Sequence, residues 1–597
     1  MKTFKKFLYL LSSHEKKLAC LLFIMTLIMA LLDMIGVASI LPFIAVLTNP
    51  EIIQTNNILN NMFVFSKRIG VENNQHFLIV LGFLVFTLLI ISLAFKACTT
   101  YAQMRFAQMR EYSIGKRLVE GYLHQSYSWF LNRHSADFGK IILSEVNKVI
   151  FNGLYPLMDM IAKGLIAIAL ISLLFIADPK LASLVGAFLG VAYGLTYKLM
   201  RKYLIRIGKE TLKSNKSRFI AISEAFGAIK EVKVSGLEQI FVKRFSDPAK
   251  IFARNQTSAA VIRELPRYIL EAIAFGGIML VLLYMMIKVG SLNNVLPLIS
   301  LYVFAGYRLL PAVQIIYSSF TAISFVGPSL DKLYDDIKFL DSIKLNHDND
   351  LVLLNKSINL KNISYNYPNS SRTALKNINI SIPANSTVGL IGTTGSGKTT
   401  AVDIILGLLK PQKGTLEVDG KVILENNYKT WQRSIGYVPQ NIYLADDTIS
   451  ANIAFGVNPE NIKEDLVEKA SKIANLHDFI IDELPDQYQT TIGERGVRLS
   501  GGQRQRIGIA RALYYNPSIL ILDEATNALD NFTEKAVMDA VNNIGNNKTI
   551  IIIAHRLSTV KKCDNIFMLK KGEIEIQGSF EELTKVNENL KMTDSIN

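Results

Sequence analysis

Residues 386–409 read STVGLIGTTGSGKTTAVDIILGLL. The opening STVGLI is a short apolar, β-branched run of strand type, and TAVDIILGLL has the length and spacing of a helix. Between them, Gly392 to Thr399 places three glycines in eight residues. Glycines at such a strand-to-helix turn let main-chain N–H groups close around phosphate oxygens. Lys398 then reaches the β and γ phosphates, and the Thr399 hydroxyl can face Mg2+. Gly392, Thr393, Thr394, Gly395, Ser396, Gly397, Lys398, Thr399 and Thr400 are therefore the candidate ATP-binding residues of this loop.

Outward from that loop, 356–597 alternates short β-rich runs with helices, the pattern of a predominantly parallel sheet. The run ILILDEA ends a buried-strand pattern in Asp523 and Glu524. Asp523 suits an Mg2+ ion held through water, and Glu524 suits polarisation of an attacking water. Acidic residues at strand ends also cap the following helix in ordinary α/β proteins; a phosphate loop upstream favours the chemical role.

The first half of the 597 residues is different in kind, apolar and rich in Met and Phe. Half of the chain is hydrophobic although 19% is charged, which implies apolar residues concentrated in spans. Runs long enough for a bilayer lie near 18–47, 77–95, 154–177, 181–200, 268–288 and 294–316. The first far exceeds a signal-peptide core and is expected to remain as a span. Lys and Arg crowd 96–150 and 198–265, while 178–180 and 288–294 are short and nearly neutral. By the positive-inside rule both termini, the two long segments and the soluble half are cytoplasmic. The same placement accounts for the net charge of +15 and argues against nucleic acid as a partner. Cys20, Cys98 and Cys563 have no metal-like spacing and form no disulfide framework.

The two basic segments read as long helices continuing the spans into the cytoplasm, with turns near Tyr127–Gly139 and Glu224–Gly227 suited to docking or to capping a local core. Asp33, Glu271 and Arg308 fall inside spans, where a charge at mid-bilayer costs about 2.5–3.5 kcal/mol. Two readings stand: a polar cavity facing a substrate, or an interhelical bridge such as Glu271 with Arg308. Asp159 and Lys163 read as a structural i,i+4 pair. Pro42, Pro297 and Pro311 are expected kinks. Residues 51–69 carry apolar residues at helical intervals and read either as a helix lying on the outer membrane surface or as a packed loop.

The run LSGGQRQRIGIARAL, 499–513, resembles the signature motif of the ABC ATPase family. That resemblance implies that Ser500, Gly501, Gly502 and Gln503 serve an ATP held by a second subunit. Tyr367 in YNYP resembles the adenine-stacking aromatic, and Gln440 in YVPQN the glutamine near Mg2+. His555 in IIIAHRLST resembles the switch histidine, and Asp530 in NALD the D-loop aspartate. Asn527 departs from the serine usual there, which puts only fine communication between subunits in doubt.

Six spans fused ahead of the ATPase, with TIGERG at 491–496, are similar to an exporter half-transporter. The implied fold is a six-span membrane α-helical domain (1–340), a linker (341–355) and an α/β P-loop ABC nucleotide-binding domain (356–597). The implied partner is a second copy. More narrowly, ASILPFIAVL, LPRYILEAIAF and YRLLPAVQIIYSSF resemble the bacterial flippase of lipid-linked oligosaccharides. That implies an inner-membrane homodimer moving a polyprenyl-pyrophosphate glycolipid, with Arg308 a candidate for the anionic group. A multidrug or lipid A type exporter, or an ATP-gated channel or sensor, are the alternatives.

Overall fold

The computed structural model describes the chain except residues 1, 69–70, 72, 178, 290–295, 342–353, 369, 371, 425–426, 494–495, 526–530, 545–547, 555–556 and 587–597. It forms two compact units. One comprises Met1–Gln125 and Asn132–Ile343, the other Ser126–Leu131 and Lys344–Asn597.

Long helices build the first unit: Ser13–Ala38 with Ile40–Thr48, Asn74–Leu123, Tyr155–Ala177, Pro179–Gly227, Glu238–Val289 and Leu296–Asp341. Among the described residues, Ser13–Thr48, Asn74–Leu123, Ser135–Ile176 and Val303–Asp341 are long and apolar enough to cross a membrane. The expected spans at 181–200 and 268–288 are helical in backbone, with many side chains outside the described residues. At about 1.5 Å per residue, the 50 residues of Asn74–Leu123 reach about 75 Å, more than twice a ~30 Å hydrocarbon layer. The helix therefore runs well beyond the bilayer, as its basic second half requires.

Ser12 starts the first span by a reciprocal cap: its hydroxyl accepts from the Glu15 amide, and Glu15 accepts from the Ser12 amide at 2.8 Å. The other Glu15 oxygen accepts from the Ser113 hydroxyl at 2.7 Å and pairs with Arg110. A local capping residue thereby also ties helix Ser13–Ala38 to helix Asn74–Leu123.

The helix breaks at Ser39 because the ring of Pro42 has no amide to give and crowds the Ala38 carbonyl. Pro311 lies inside helix Leu296–Asp341, as does Pro328. Pro297 is the second described residue of that helix, and residues 290–295 before the helix lie outside the described ones.

Residues 57–67 form a helix and not a loop, capped by the Asn56 side chain, which accepts from the Ile58 and Leu59 amides. Leu59 packs with Val46, Ile53, Phe77 and Leu81, while Ile58 and Phe65 are exposed. Where helix Pro179–Gly227 meets helix Leu296–Asp341, Gly208 allows the backbones to touch: a Cβ there would lie 2.2 Å from the Phe325 carbonyl oxygen.

The second unit holds two sheets. The strands are β1 (Ser357–Asn366), β2 (Thr373–Pro383), β3 (Thr387–Ile391), β4 (Lys413–Val418), β5 (Lys421–Val422), β6 (Ile435–Val438), β7 (Ile519–Asp523), β8 (Thr549–Ile553), β9 (Asn565–Lys570) and β10 (Glu573–Gly578). An antiparallel sheet has the order β2-β1-β4-β5; the other runs β10-β9-β3-β8-β7-β6 and is parallel from β9 to β6. Every residue of β7 and β8 is buried, as expected where helices cover both faces. Leu390 and Asp523 both pair with Ile553, so β3, β7 and β8 end at one level. That register brings the loops after them to one edge of the sheet.

Gly208→Ala should lower the melting temperature of the detergent-solubilised protein, since overpacking of this kind costs about 1–3 kcal/mol or more. Gly115→Ala, whose Cβ would meet nothing within 4 Å, should leave it unchanged or raise it.

Candidate functional site

The loop after β3 is held by backbone conformations that favour glycine: φ is +148° at Gly392, +77° at Gly395 and +108° at Gly397. A Cβ on Gly392 would lie 2.3 Å from the Leu569 carbonyl oxygen, and one on Gly397 2.9 Å from that of Ala374. Thr393 and Thr394 complete the turn, and Lys398 opens helix Lys398–Ile405, with Thr399 and Thr400 in its first turn.

Lys398 folds back over the loop, its ammonium donating to the carbonyls of Gly392 at 2.6 Å and Thr393 at 3.3 Å. Desolvation lowers its pKa, opposed by the nearby carboxylates of Glu524 and Asp523. The Ser396 hydroxyl is buried with no hydrogen-bond partner. A glycine cradle, a buried hydroxyl awaiting an acceptor or donor, and a lysine aimed along the loop fit a nucleotide's phosphates.

Asp523, at the end of β7, is buried and accepts from the Tyr437 hydroxyl at 3.3 Å. Glu524 follows in a left-handed conformation, φ +50°, rare for this residue type and frequent at functional sites. Its Oε2 accepts from Gln440 Nε2 at 2.7 Å. Two residues 84 apart in sequence thus share one contact. Among the described residues no three His, Cys, Asp or Glu side chains cluster as a metal cage. Thr399 and Asp523 suit Mg2+, which is usually held by one or two protein oxygens together with phosphates.

The Tyr367 hydroxyl lies 3.1 Å from that of Thr400, and its ring packs edge-on to Tyr365. The aromatic face expected for adenine therefore stands beside the phosphate loop. Ser500 caps helix Gly501–Leu513, accepting from the Gln503 amide at 3.2 Å while Gln503 accepts from the Ser500 amide at 2.7 Å. Gly501 and Gly502 occupy the first turn, whose amides and dipole favour an anion. His555, Asp530 and Asn527, and Glu494 and Arg495 of the TIGERG stretch, lie outside the described residues.

Two residues of the site escaped the sequence reading. Arg372 donates to the Gly395 carbonyl at 3.2 Å, and nothing in its local sequence marks it. Asp403, four residues after Thr399, has its pKa pushed up to about 6 by burial and then by the charge of Asp523. A one-turn spacing from the phosphate loop was the available signal.

In the first unit the expected bridge between Glu271 and Arg308 does not form. Glu271 pairs with Arg267, one turn before it on the same helix, at 2.8 Å. Arg308 pairs with Asp33. Asp159 and Lys163 are within electrostatic reach of one another. Burial raises the Cys563 thiol to about 12, so it is unreactive.

Residues 375–527 match the family model described as ABC transporter, and residues 18–307 match that of the ABC transporter transmembrane region. The ATP-dependent lipid A-core flippase of Cupriavidus metallidurans is 30% identical over 479 residues, 79% of this chain and 79% of that protein. The heterocyst differentiation ATP-binding protein HepA of a Nostoc species is 28% identical over 584 residues, 96% of this chain and 92% of that one. A bacterial Atm1-family ABC exporter solved with ATP bound has the same fold, with a TM-score of 0.77 over 94% of this chain and 95% of the other, at 22% identity.

Asp403 gives a pH signature. Its folded pKa of about 6 exceeds the ordinary 3.8, so its ionised form costs stability above about pH 6, and that cost vanishes below about pH 4. In nucleotide-free protein, Asp403→Asn should raise the melting temperature above pH 6 and lose that advantage near pH 4; a gain independent of pH would contradict it.

A membrane unit of long helices, a phosphate loop at the edge of a parallel sheet and an ABC signature helix are here in one polypeptide: the chain belongs to the ABC transporter family, as an exporter half-transporter that couples ATP hydrolysis to transport.

Proposed function

We propose that the chain is a lipid flippase of the bacterial inner membrane, acting as two identical copies with their ATPase units in the cytoplasm, and that its substrate is a glycolipid with a phosphate-bearing headgroup. The polyprenyl-pyrophosphate-linked oligosaccharide is the first choice. The observation that carries this is Arg308, a cation on a membrane helix whose side chain keeps 18% of its surface open. A lipid A type substrate is the second reading, favoured by relatives named lipid A-core flippase. Both substrates pair an anionic phosphate with sugar and long acyl or prenyl chains.

In this reading each ATP lies between the phosphate loop of one copy and Ser500, Gly501, Gly502 and Gln503 of the other. Tyr367 stacks on adenine, and Lys398 and Ser396 meet the phosphates. Mg2+, held by Thr399 and Asp523 and approached by Gln440, supplies charge neutralisation to the leaving phosphate when bound. Glu524 polarises the water and takes its proton, and the hydrogen bond from Gln440 fixes where its carboxylate points. The resemblance assigns His555 the switch-histidine role toward the γ phosphate and Asp530 the D-loop role. Closure of the two ATPase units turns the membrane bundle outward, and hydrolysis resets it.

Reconstituted protein should flip a fluorescent polyprenyl-pyrophosphate glycan with ATP, whereas Glu524→Gln should bind ATP but lose at least about 100-fold in steady turnover and in flipping. Flipping of lipid A alone would select the second reading; stimulation only by hydrophobic drugs would overturn both.

A further inference from the structure

Four helices of the membrane unit converge on one carboxylate. Asp33 is 1% exposed, and its Oδ1 accepts both the Ser92 hydroxyl, at 2.8 Å, and the Arg308 guanidinium. These contacts join helices Ser13–Ala38, Asn74–Leu123 and Leu296–Asp341. A fourth helix, Tyr155–Ala177, brings Lys163 within electrostatic reach of the same carboxylate.

The two partners of the ion pair differ in access. The Asp33 side chain is 2% exposed and that of Arg308 18%, and Tyr307 next to Arg308 is 79% exposed. A ligand arriving at this face of helix Leu296–Asp341 therefore meets the guanidinium and not the carboxylate. A neutral headgroup gains nothing from a cation already satisfied. A phosphate offers several oxygens to the planar guanidinium and can compete with one carboxylate oxygen. Displacement would strand a buried charge, which is unfavourable unless another cation receives it. Lys163, within electrostatic reach of Asp159 and Lys96 and then of Asp33, is the candidate for that cation.

We propose that Asp33 is a built-in competitor for the substrate anion: it holds Arg308 while the site is empty and passes to Lys163 when a phosphate-bearing lipid takes the guanidinium. Asp33 thereby sets a charge threshold for substrates, a role distinct from that of Arg308 itself. The inference rests on the anionic-lipid reading above and adds a specificity residue to it.

The test uses full-length protein in zwitterionic proteoliposomes and reads the concentration of undecaprenyl pyrophosphate that half-stimulates ATPase activity, with uncharged undecaprenol as control. Asp33→Asn should lower that concentration roughly tenfold, since it removes a competing state. The gain should be absent with undecaprenol and absent in Asp33→Asn/Arg308→Gln. Lys163→Met should move it the other way, and should have no effect once Asp33 is Asn. If wild type responds but Asp33→Asn responds no better, the competitor role is overturned and the lipid reading stands. If Asp33→Asn responds where wild type does not, the competitor role is supported. If neither responds to undecaprenyl pyrophosphate or to lipid A, both fall. Should Asp33→Asn fail to fold, an unchanged Lys163→Met overturns the proposal.

Discussion

A nucleoside triphosphate concentrates negative charge in a few ångströms, and main-chain N–H groups can surround it only where the chain carries no side chains in the way. In the second unit that requirement dictates Gly392 and Gly397, where a Cβ would crowd main-chain oxygens, and Gly395, whose φ of +77° disfavours a side chain. It also dictates where the loop can be. Strands β3, β7 and β8 end at one level, so the phosphate loop, Asp523 and Glu524 share an edge although about 130 residues separate the first from the last. The left-handed φ of Glu524 and its bond from Gln440 are local consequences of bringing a carboxylate to that edge.

The membrane unit answers a related problem with the opposite means. Where water is excluded, a charge must find a partner or be lost. Glu15 with Arg110 and Asp33 with Arg308 are both buried or nearly so, and each joins helices distant in sequence. Removing one member of such a pair costs about 3–5 kcal/mol, far more than an exposed pair such as Lys116 with Glu120 contributes. These pairs therefore also specify which helices meet.

Much of this was legible in the sequence. Glycine spacing, an apolar run ending in two acids and an LSGGQ helix carry their physics locally, so the ATP site could be read residue by residue. The helical reading of 57–67, one of two that the apolar spacing left open, followed from periodicity. What escaped depends on pairing at a distance. A span shows that Arg308 needs a partner but not whether helix Ser13–Ala38 or helix Glu238–Val289 supplies it, and only the packed bundle selects Asp33 over Glu271. The separation of an antiparallel sheet from the parallel one is likewise a matter of long-range pairing, as are the contact of Arg372 with the loop and the charge of Asp523 felt by Asp403.

The ATP site has a phosphate loop and a signature helix whose first-turn amides suit an anion, and in the proposed dimer the loop of one copy meets the helix of the other. Cross-linking measures this directly. Two variants are mixed in a Glu524→Gln background lacking Cys20, Cys98 and Cys563, one carrying Thr394→Cys and the other Ser500→Cys, and treated with a short thiol-reactive bifunctional reagent with and without ATP and Mg2+. A covalent dimer of the two variants is expected to form only with ATP. Nucleotide binding without any such dimer would contradict it.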